Sequence, residues 1–227
     1  MKKYFLLVLI ILFSSFNYAN THVEHYNKVS LLKYGLYLND KLIGTHTFNF
    51  KKDGDLFFVN SSGNFKVVKL GVVLMDYKTN TKEVYKEGKL LNFNSKTHQN
   101  KKEKFVKVSL NKKKNLDVVG SSFKGVTESN SIVGSWWNHE IIKKGKQISP
   151  ISGRIIKQKV KFLGKNNISV NEKKYDALHF LFLSDNDKPV NEKKLNINVW
   201  YDAKTLLWIK SSYEKLGTWE YRILDVK

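Results

Sequence analysis

The chain has 227 residues, 40 basic and 20 acidic side chains, a formal net charge of +20 and no cysteine. Without cysteine it has no disulfide, no thiolate nucleophile and no thiolate metal centre, so its stability has to come from core packing and sheet hydrogen bonding. Only Arg154 and Arg222 are arginine, whereas recognition of phosphate by geometry favours the bidentate guanidinium fork. Nucleic acid is therefore set aside as a partner, and the lysines are read as a solvated surface with loose affinity for anionic lipid, as at a membrane surface, or for polysaccharide.

At the N-terminus, Lys2 and Lys3 precede an uninterrupted apolar run, Tyr4 to Phe13, followed by Ser14, Ser15 and Ala19. This is the three-part layout of a secretory signal peptide. A spanning helix needs ~20 apolar residues to cross ~30 Å of hydrocarbon, and Asn17 and Asn20 end the run early. Residues 1–19 are read as a signal peptide cut after Ala19, residues 20–30 as a flexible lead-in and 31–227 as a single β-rich domain. The expected location is periplasmic or secreted. Without Lys2 and Lys3 the charge is +18, and export weakens the case for nucleic acid further.

The mature chain has two prolines, Pro150 and Pro189, and no long helical periodicity; short alternating runs of β-branched and aromatic residues dominate. Leu32–Leu38 leads to Asn39-Asp40, a two-residue hairpin turn in which both residues tolerate positive φ. Lys41–Lys51 returns with Leu42, His46, Phe48 and Phe50 on one face. After the turn Lys52–Asp55 comes Leu56–Lys69, in which Gly63 is expected to mark a bulge or bend. Val72–Tyr85, Lys89–His98, Phe105–Leu110 and Leu116–Val119 continue the meander.

Glu128–Ile142 breaks the alternation and is read as a short helical or loop insert. Strands are then expected at Ile155–Leu163, Ile168–Val170, Tyr175–Leu183, Leu195–Tyr201, Leu206–Ser212 and Thr218–Leu224. Tyr175–Leu183 is apolar on both faces, as for a central strand covered on both sides. The fold class is thus mainly β: a long, strongly curved antiparallel sheet, half-barrel or open barrel, with one insert near 128–142.

Motifs for chemistry are sparse. His22 and His25 share a helical face but have no third ligand. His139-Glu140 opens like a zincin helix, but position 143 is Lys. Gly134-Ser135-Trp136 lacks the second glycine of a nucleophile elbow. Asn60 and Asn167 stand in short glycosylation sequons. No cofactor or metal is expected. Trp208 and Trp219 read as plugs of the core, whereas adjacent Trp136 and Trp137 cannot both point inward from a strand. Trp136, Trp137 and Trp200 are the candidate ligand-binding residues.

Leu38–Gly44, Gly134-Ser135-Trp136-Trp137-Asn138, Val199-Trp200-Tyr201-Asp202 and Trp219-Glu220-Tyr221 together resemble a family of secreted bacterial proteins catalogued as a domain of unknown function. The resemblance spans nearly the whole mature chain. It implies a periplasmic location and a long antiparallel sheet. More distantly, the layout is similar to the half-barrels of periplasmic lipoprotein carriers, which shelter acyl chains. It transfers no catalytic residues. The expectation is a non-enzymatic protein holding a lipid or other hydrophobic or amphipathic envelope molecule. The alternative is a hydrolase of envelope polymers using His139, Glu140 and Asp202. A lipid-embedded barrel is disfavoured by the lysines at 157, 159 and 161. Oligomeric state is left open by the sequence.

Overall fold

The structure, a computed structural model, describes residues 26–227. The signal-peptide reading of residues 1–19, the first part of the lead-in and the His22/His25 pair lie outside the described residues.

Eight strands form the first half: β1 (Leu31–Leu38), β2 (Lys41–Asp53), β3 (Leu56–Lys69), β4 (Val72–Lys86), β5 (Lys89–Gln99), β6 (Lys102–Leu110), β7 (Asn115–Gly120) and β8 (Phe123–Glu128). Two short strands, β9 (Ile132–Val133) and β10 (Lys146–Ile148), follow. The second half comprises β11 (Ile155–Val170), β12 (Lys173–Ser184), β13 (Asn196–Asp202), β14 (Trp208–Glu214) and β15 (Thr218–Val226). All belong to one sheet in the order β8-β7-β6-β5-β4-β3-β2-β1-β15-β14-β13-β12-β11-β10-β9. Every pairing is antiparallel except the short parallel pair β9/β10. The expected curved antiparallel sheet is present and does not close into a barrel.

Turn chemistry drives the meander. Asn39 and Asp40 have φ of 48° and 63°, and Leu70-Gly71, Glu87-Gly88 and Asn171-Glu172 repeat the pattern of two positive values, the geometry whose twist matches that of the flanking strands. β1 and β15 pair from Leu32↔Val226 to Leu38↔Trp219, so the two ends of the described chain meet in the middle of the sheet.

The free edges, β8 and β9, are joined by Ser129–Ser131. Instead of a strand ladder, side chains span the seam: the Thr127 and Ser131 hydroxyls lie 2.8 Å apart and Lys146 Nζ donates to Glu128 Oε1 at 2.8 Å. The backbone also contributes, with Ser122 N donating to Ser152 O at 3.0 Å.

The insert folds against the concave face. It holds β9, a 3-10 turn at His139–Lys143 whose start is capped by Asn138, and β10. Gln158 on β11 pins it, donating to the carbonyls of Ile141 and Lys144 at 3.2 and 2.9 Å. The core lies between insert and sheet: Trp137, Ile141 and Ile148 pack with Leu32, Phe50, Val59, Val106, Val118 and Phe182. Burying side chains of this size stabilises by ~1.5–3 kcal/mol each.

Four expectations need correcting. Gly63 is not a bulge: it pairs regularly with His46 and Thr79. Its missing Cβ would sit 3.2 Å from the His46 ring and from Thr79 Cγ2, so glycine there makes room for the imidazole. Ile155–Leu163 and Ile168–Val170 are one strand, kinked at a register shift beside Gly164, whose φ is 116°. Tyr26–Ser30 is no flexible lead-in, because Tyr26 is fully buried and its hydroxyl donates to the carbonyl of Trp137. Finally, among the described residues no second sheet lies over the outer face of β12; there His179 is covered by the stacked ring of Trp200 from the neighbouring strand, with centroids 4.3 Å apart.

Candidate functional site

Alternation puts every second residue of β2–β5 on the concave face. Most barrel interiors would carry valine or leucine there, but this one carries His46, Ser61, Thr79, Thr81, Glu83, Ser95 and Thr97. The hydroxyls pair across strands: Ser61 with Thr81 at 2.8 Å and Thr79 with Thr97 at 2.8 Å. His46 Nε2 lies 3.2 Å from Ser61 Oγ, and Ser95 Oγ donates to Pro150 O of the insert at 2.6 Å. Cross-strand satisfaction is what allows these groups to be buried.

Glu83 is the most constrained of them. Its Oε2 accepts from the Tyr85 hydroxyl at 2.6 Å and its Oε1 from Trp137 Nε1 at 3.2 Å. Burial pushes its carboxyl up to about 7, against the pull of those two hydrogen bonds. Burial also pushes His46 down to about 4, keeping the imidazole neutral.

Between this polar wall and the insert lies a partly enclosed cavity of ≈ 210 Å³. Its other walls are aromatic (Phe48, Tyr77, Phe93, Trp136, Trp208 and Tyr221), and Val133–Ser135 with Pro150 and Ile151 roof it. Trp208 is held by Tyr34, whose ring stacks on it at 4.0 Å and whose hydroxyl donates to its carbonyl at 2.8 Å. The Trp208 ring is 1% exposed, and its buried Nε1 has no hydrogen-bond acceptor among the described residues. Lysine, abundant elsewhere, and arginine are both missing from the lining among the described residues.

The three candidate tryptophans are dispersed. Trp136 lines the cavity, with its ring edge-on to Phe182 at 4.9 Å and its carbonyl accepting from Tyr201 at 3.0 Å. Trp137 lies beneath it in the core, fully buried, enclosed edge-on by Tyr26, Phe50 and Tyr85. Trp200 projects from the opposite face of the sheet, stacked on His179 and capped by the Lys210 ammonium at 5.6 Å. Strand parity explains this, because Val199 and Tyr201 are both buried inward.

His139, Glu140 and Asp202 do not assemble in the cavity. Asp202 Oδ1 accepts from Lys204 N, Thr205 N and Thr205 Oγ1 and so caps the β13–β14 turn. Glu140 pairs with Lys143 at 2.7 Å on the 3-10 turn. Among the described residues no group of three or more His, Asp or Glu could hold a metal ion. The polar wall has no periodic signature in the sequence, because Lys78–Glu83 is polar on both faces; only His46, sharing a face with Phe48 and Phe50, points to it.

Fold and cavity together define an open, β-barrel-like protein with a partly polar interior. The chain belongs to the family described as "Domain of unknown function (DUF6134)", whose model matches residues 34–224. No curated protein matches it. Among solved structures it is similar to a β-barrel-like protein of the domain of unknown function DUF1849 from Brucella abortus. The likeness has a TM-score of 0.61 at 11% identity and covers 88% of this chain and 97% of that one. At that identity it concerns the fold alone.

Proposed function

We propose that the protein works outside the cytoplasm as a non-enzymatic binder of a small amphipathic molecule, held in the cavity between the polar wall and Trp136. The observation that carries this reading is the composition of the lining. A cavity formed only by imperfect packing is expected to be apolar, whereas this one sets the hydroxyls of Ser61, Thr79 and Thr81, the His46 imidazole and the Glu83 carboxyl opposite aromatic rings. With no lysine or arginine in the lining and a carboxyl already present, an anionic head group would enter without a counter-charge. The head of the ligand is therefore neutral and hydrogen-bonding. At ≈ 210 Å³ the space lies below the ~300–1,000 Å³ of sites for drug-sized ligands, and suits a short amphiphile or one end of a longer one.

Export rests on the N-terminal layout. Exposed Lys157, Lys159 and Lys161 on β11 favour a water-facing exterior over a lipid-embedded barrel. Two measurements test the proposal. Intact mass of the chain recovered from the periplasm or medium is expected to start near Asn20. Tryptophan fluorescence titrated with medium-chain alcohols and the matching carboxylates above neutral pH is expected to saturate with the alcohols. Trp208→Phe, which replaces the indole of the cavity wall with a smaller phenyl ring and removes the N–H, is expected to weaken that binding about tenfold. Absence of saturable binding by every probe, or preference for the carboxylates, would refute it.

A further inference from the structure

The β3–β4 hairpin runs past both of its neighbours. β2 accompanies β3 only as far as Gly44↔Phe65, and β5 accompanies β4 only from Tyr77↔Gln99. Among the described residues Val67–Met75 is thus paired only within itself, through Val67↔Met75, Val68↔Val73 and Lys69↔Val72. At ~3.3 Å per residue it projects about 15 Å.

A free hairpin in water should be polar, yet this one is apolar on both faces: Val68 is 52% exposed, Leu70 94%, Val72 60% and Leu74 54%. Leu70 also occupies a turn position with φ of 49°, where asparagine, aspartate or glycine is locally favoured. The β14–β15 turn repeats the oddity, with Leu216 99% exposed at φ 54°. That turn lies at the same end of the sheet, since Thr218 N donates to Asn39 Oδ1 at 2.9 Å and β1 and β3 run in the same direction. Two leucines therefore sit where both the backbone and the solvent disfavour leucine.

Exposed Lys41, Lys66, Lys69, Lys101, Lys102 and Lys215 surround these tips. Of the acidic groups beside these tips, Asp40 is held by Arg222 and Glu103 by His98, leaving Asp76 and Glu214. Farther along the same end, the β12–β13 loop carries Asp185, held by Lys159, and Asp187 and Glu192 among Lys188, Lys193 and Lys194. Apolar side chains that enter the headgroup layer, together with a basic rim, are the paired signals needed for stable attachment to a bilayer. A second copy of the chain would bring one lysine rim against another.

We propose that this end of the protein docks on an anionic phospholipid surface, with the Val67–Met75 hairpin inserting Leu70 and its neighbours. The site is separate from the cavity, and the proposal does not depend on whether the cavity is loaded.

Because the chain has no cysteine, Leu70→Cys and Lys89→Cys each supply a single thiol for a polarity-sensitive dye, at opposite ends of β4–β5. The chain as recovered from cells is mixed with phosphatidylcholine vesicles with and without phosphatidylglycerol. The Leu70 probe is expected to shift to the blue with the anionic vesicles while the Lys89 probe stays unchanged. In flotation assays, Leu70→Asn is expected to weaken vesicle binding about tenfold while its melting temperature holds or rises, since asparagine suits the turn. Lys66→Glu/Lys69→Glu is expected to weaken binding at least as much. Equal response of both probes, response of neither, or wild-type binding by Leu70→Asn would overturn the proposal. So would a blue shift that appears without vesicles and grows with protein concentration, which would assign the hairpin to self-association.

Discussion

Replacing Glu83 with Gln isolates a buried titration and makes the pH dependence of folding legible. The unfolded chain loses the Glu83 proton near the ordinary 4.5, whereas the folded protein keeps it until about 7. Between those values the folded state binds the extra proton, so stability falls as pH rises. A displacement of that size corresponds to about 3 kcal/mol, fully lost above neutral pH. His46 acts with the opposite sign in almost the same window. Its folded value lies near 4 against an ordinary 6.5, so below 6.5 the unfolded chain takes up the proton and stability falls as pH drops. Solvent reaches the partly exposed ring through the cavity, reducing that effect to about 1–2 kcal/mol. In the wild type the two slopes largely offset one another. Urea unfolding followed by tryptophan fluorescence, from about pH 4 to pH 8, should therefore give a shallow decline for the wild type. Glu83→Gln should instead gain stability as pH rises, and the gap between the two curves should widen by about 3 kcal/mol across the window. Curves that run parallel would refute the assignment of a buried, neutral Glu83 at low pH.

Trp137→Ala should cost about 3–5 kcal/mol in the same assay, because it opens the core and removes the donor to Glu83. Trp136→Ala should cost about 1–2 kcal/mol, since its ring is only half-buried, while enlarging the cavity and changing which chain length of alcohol binds most tightly. Gly63→Ala should destabilise by about 1 kcal/mol and move the His46 resonances in an NMR titration, as the new methyl lies against that ring. Asp202→Ala should lower stability by about 1 kcal/mol through loss of the turn cap, without altering probe binding.

Much of the architecture could be read from alternation and turn chemistry. Asn39-Asp40 and Glu87-Gly88 announce their hairpins because few residues tolerate two successive positive φ values. β8 was missed because Gly125 interrupts a short run that is polar on its outer side. The kink at Gly164 looked like the end of one strand and the start of another, since a bulge and a loop share the same local signature. Gly63 shows the converse: a glycine within a strand can serve a neighbour's side chain and leave the backbone regular. The cavity was least legible. Thr79, Thr81 and Glu83 alternate with Lys78, Asn80 and Lys82, so hydrophobicity could not tell inside from outside, and only the register against β3 and β5 decides it. Trp200, in contrast, is assigned outward by the parity of Val199 and Tyr201, a rule available from the residues alone.

The strand order has a consequence for how the chain finds its fold. Every antiparallel neighbour pair is consecutive in sequence except β1 and β15, so one pairing, spanning nearly the whole chain, joins two locally wound meanders. Closing that loop late and at high entropic cost should limit the folding rate. The ends to be joined already touch: Ser30 N donates to Lys227 O at 2.6 Å. A circular permutant opened at Ser129–Ser131 and linked across that junction would turn the same sheet into an unbroken sequential ribbon, β9 through β15 and then β1 through β8. It should reach the native state faster than the natural order does, with the same side chains in the same places.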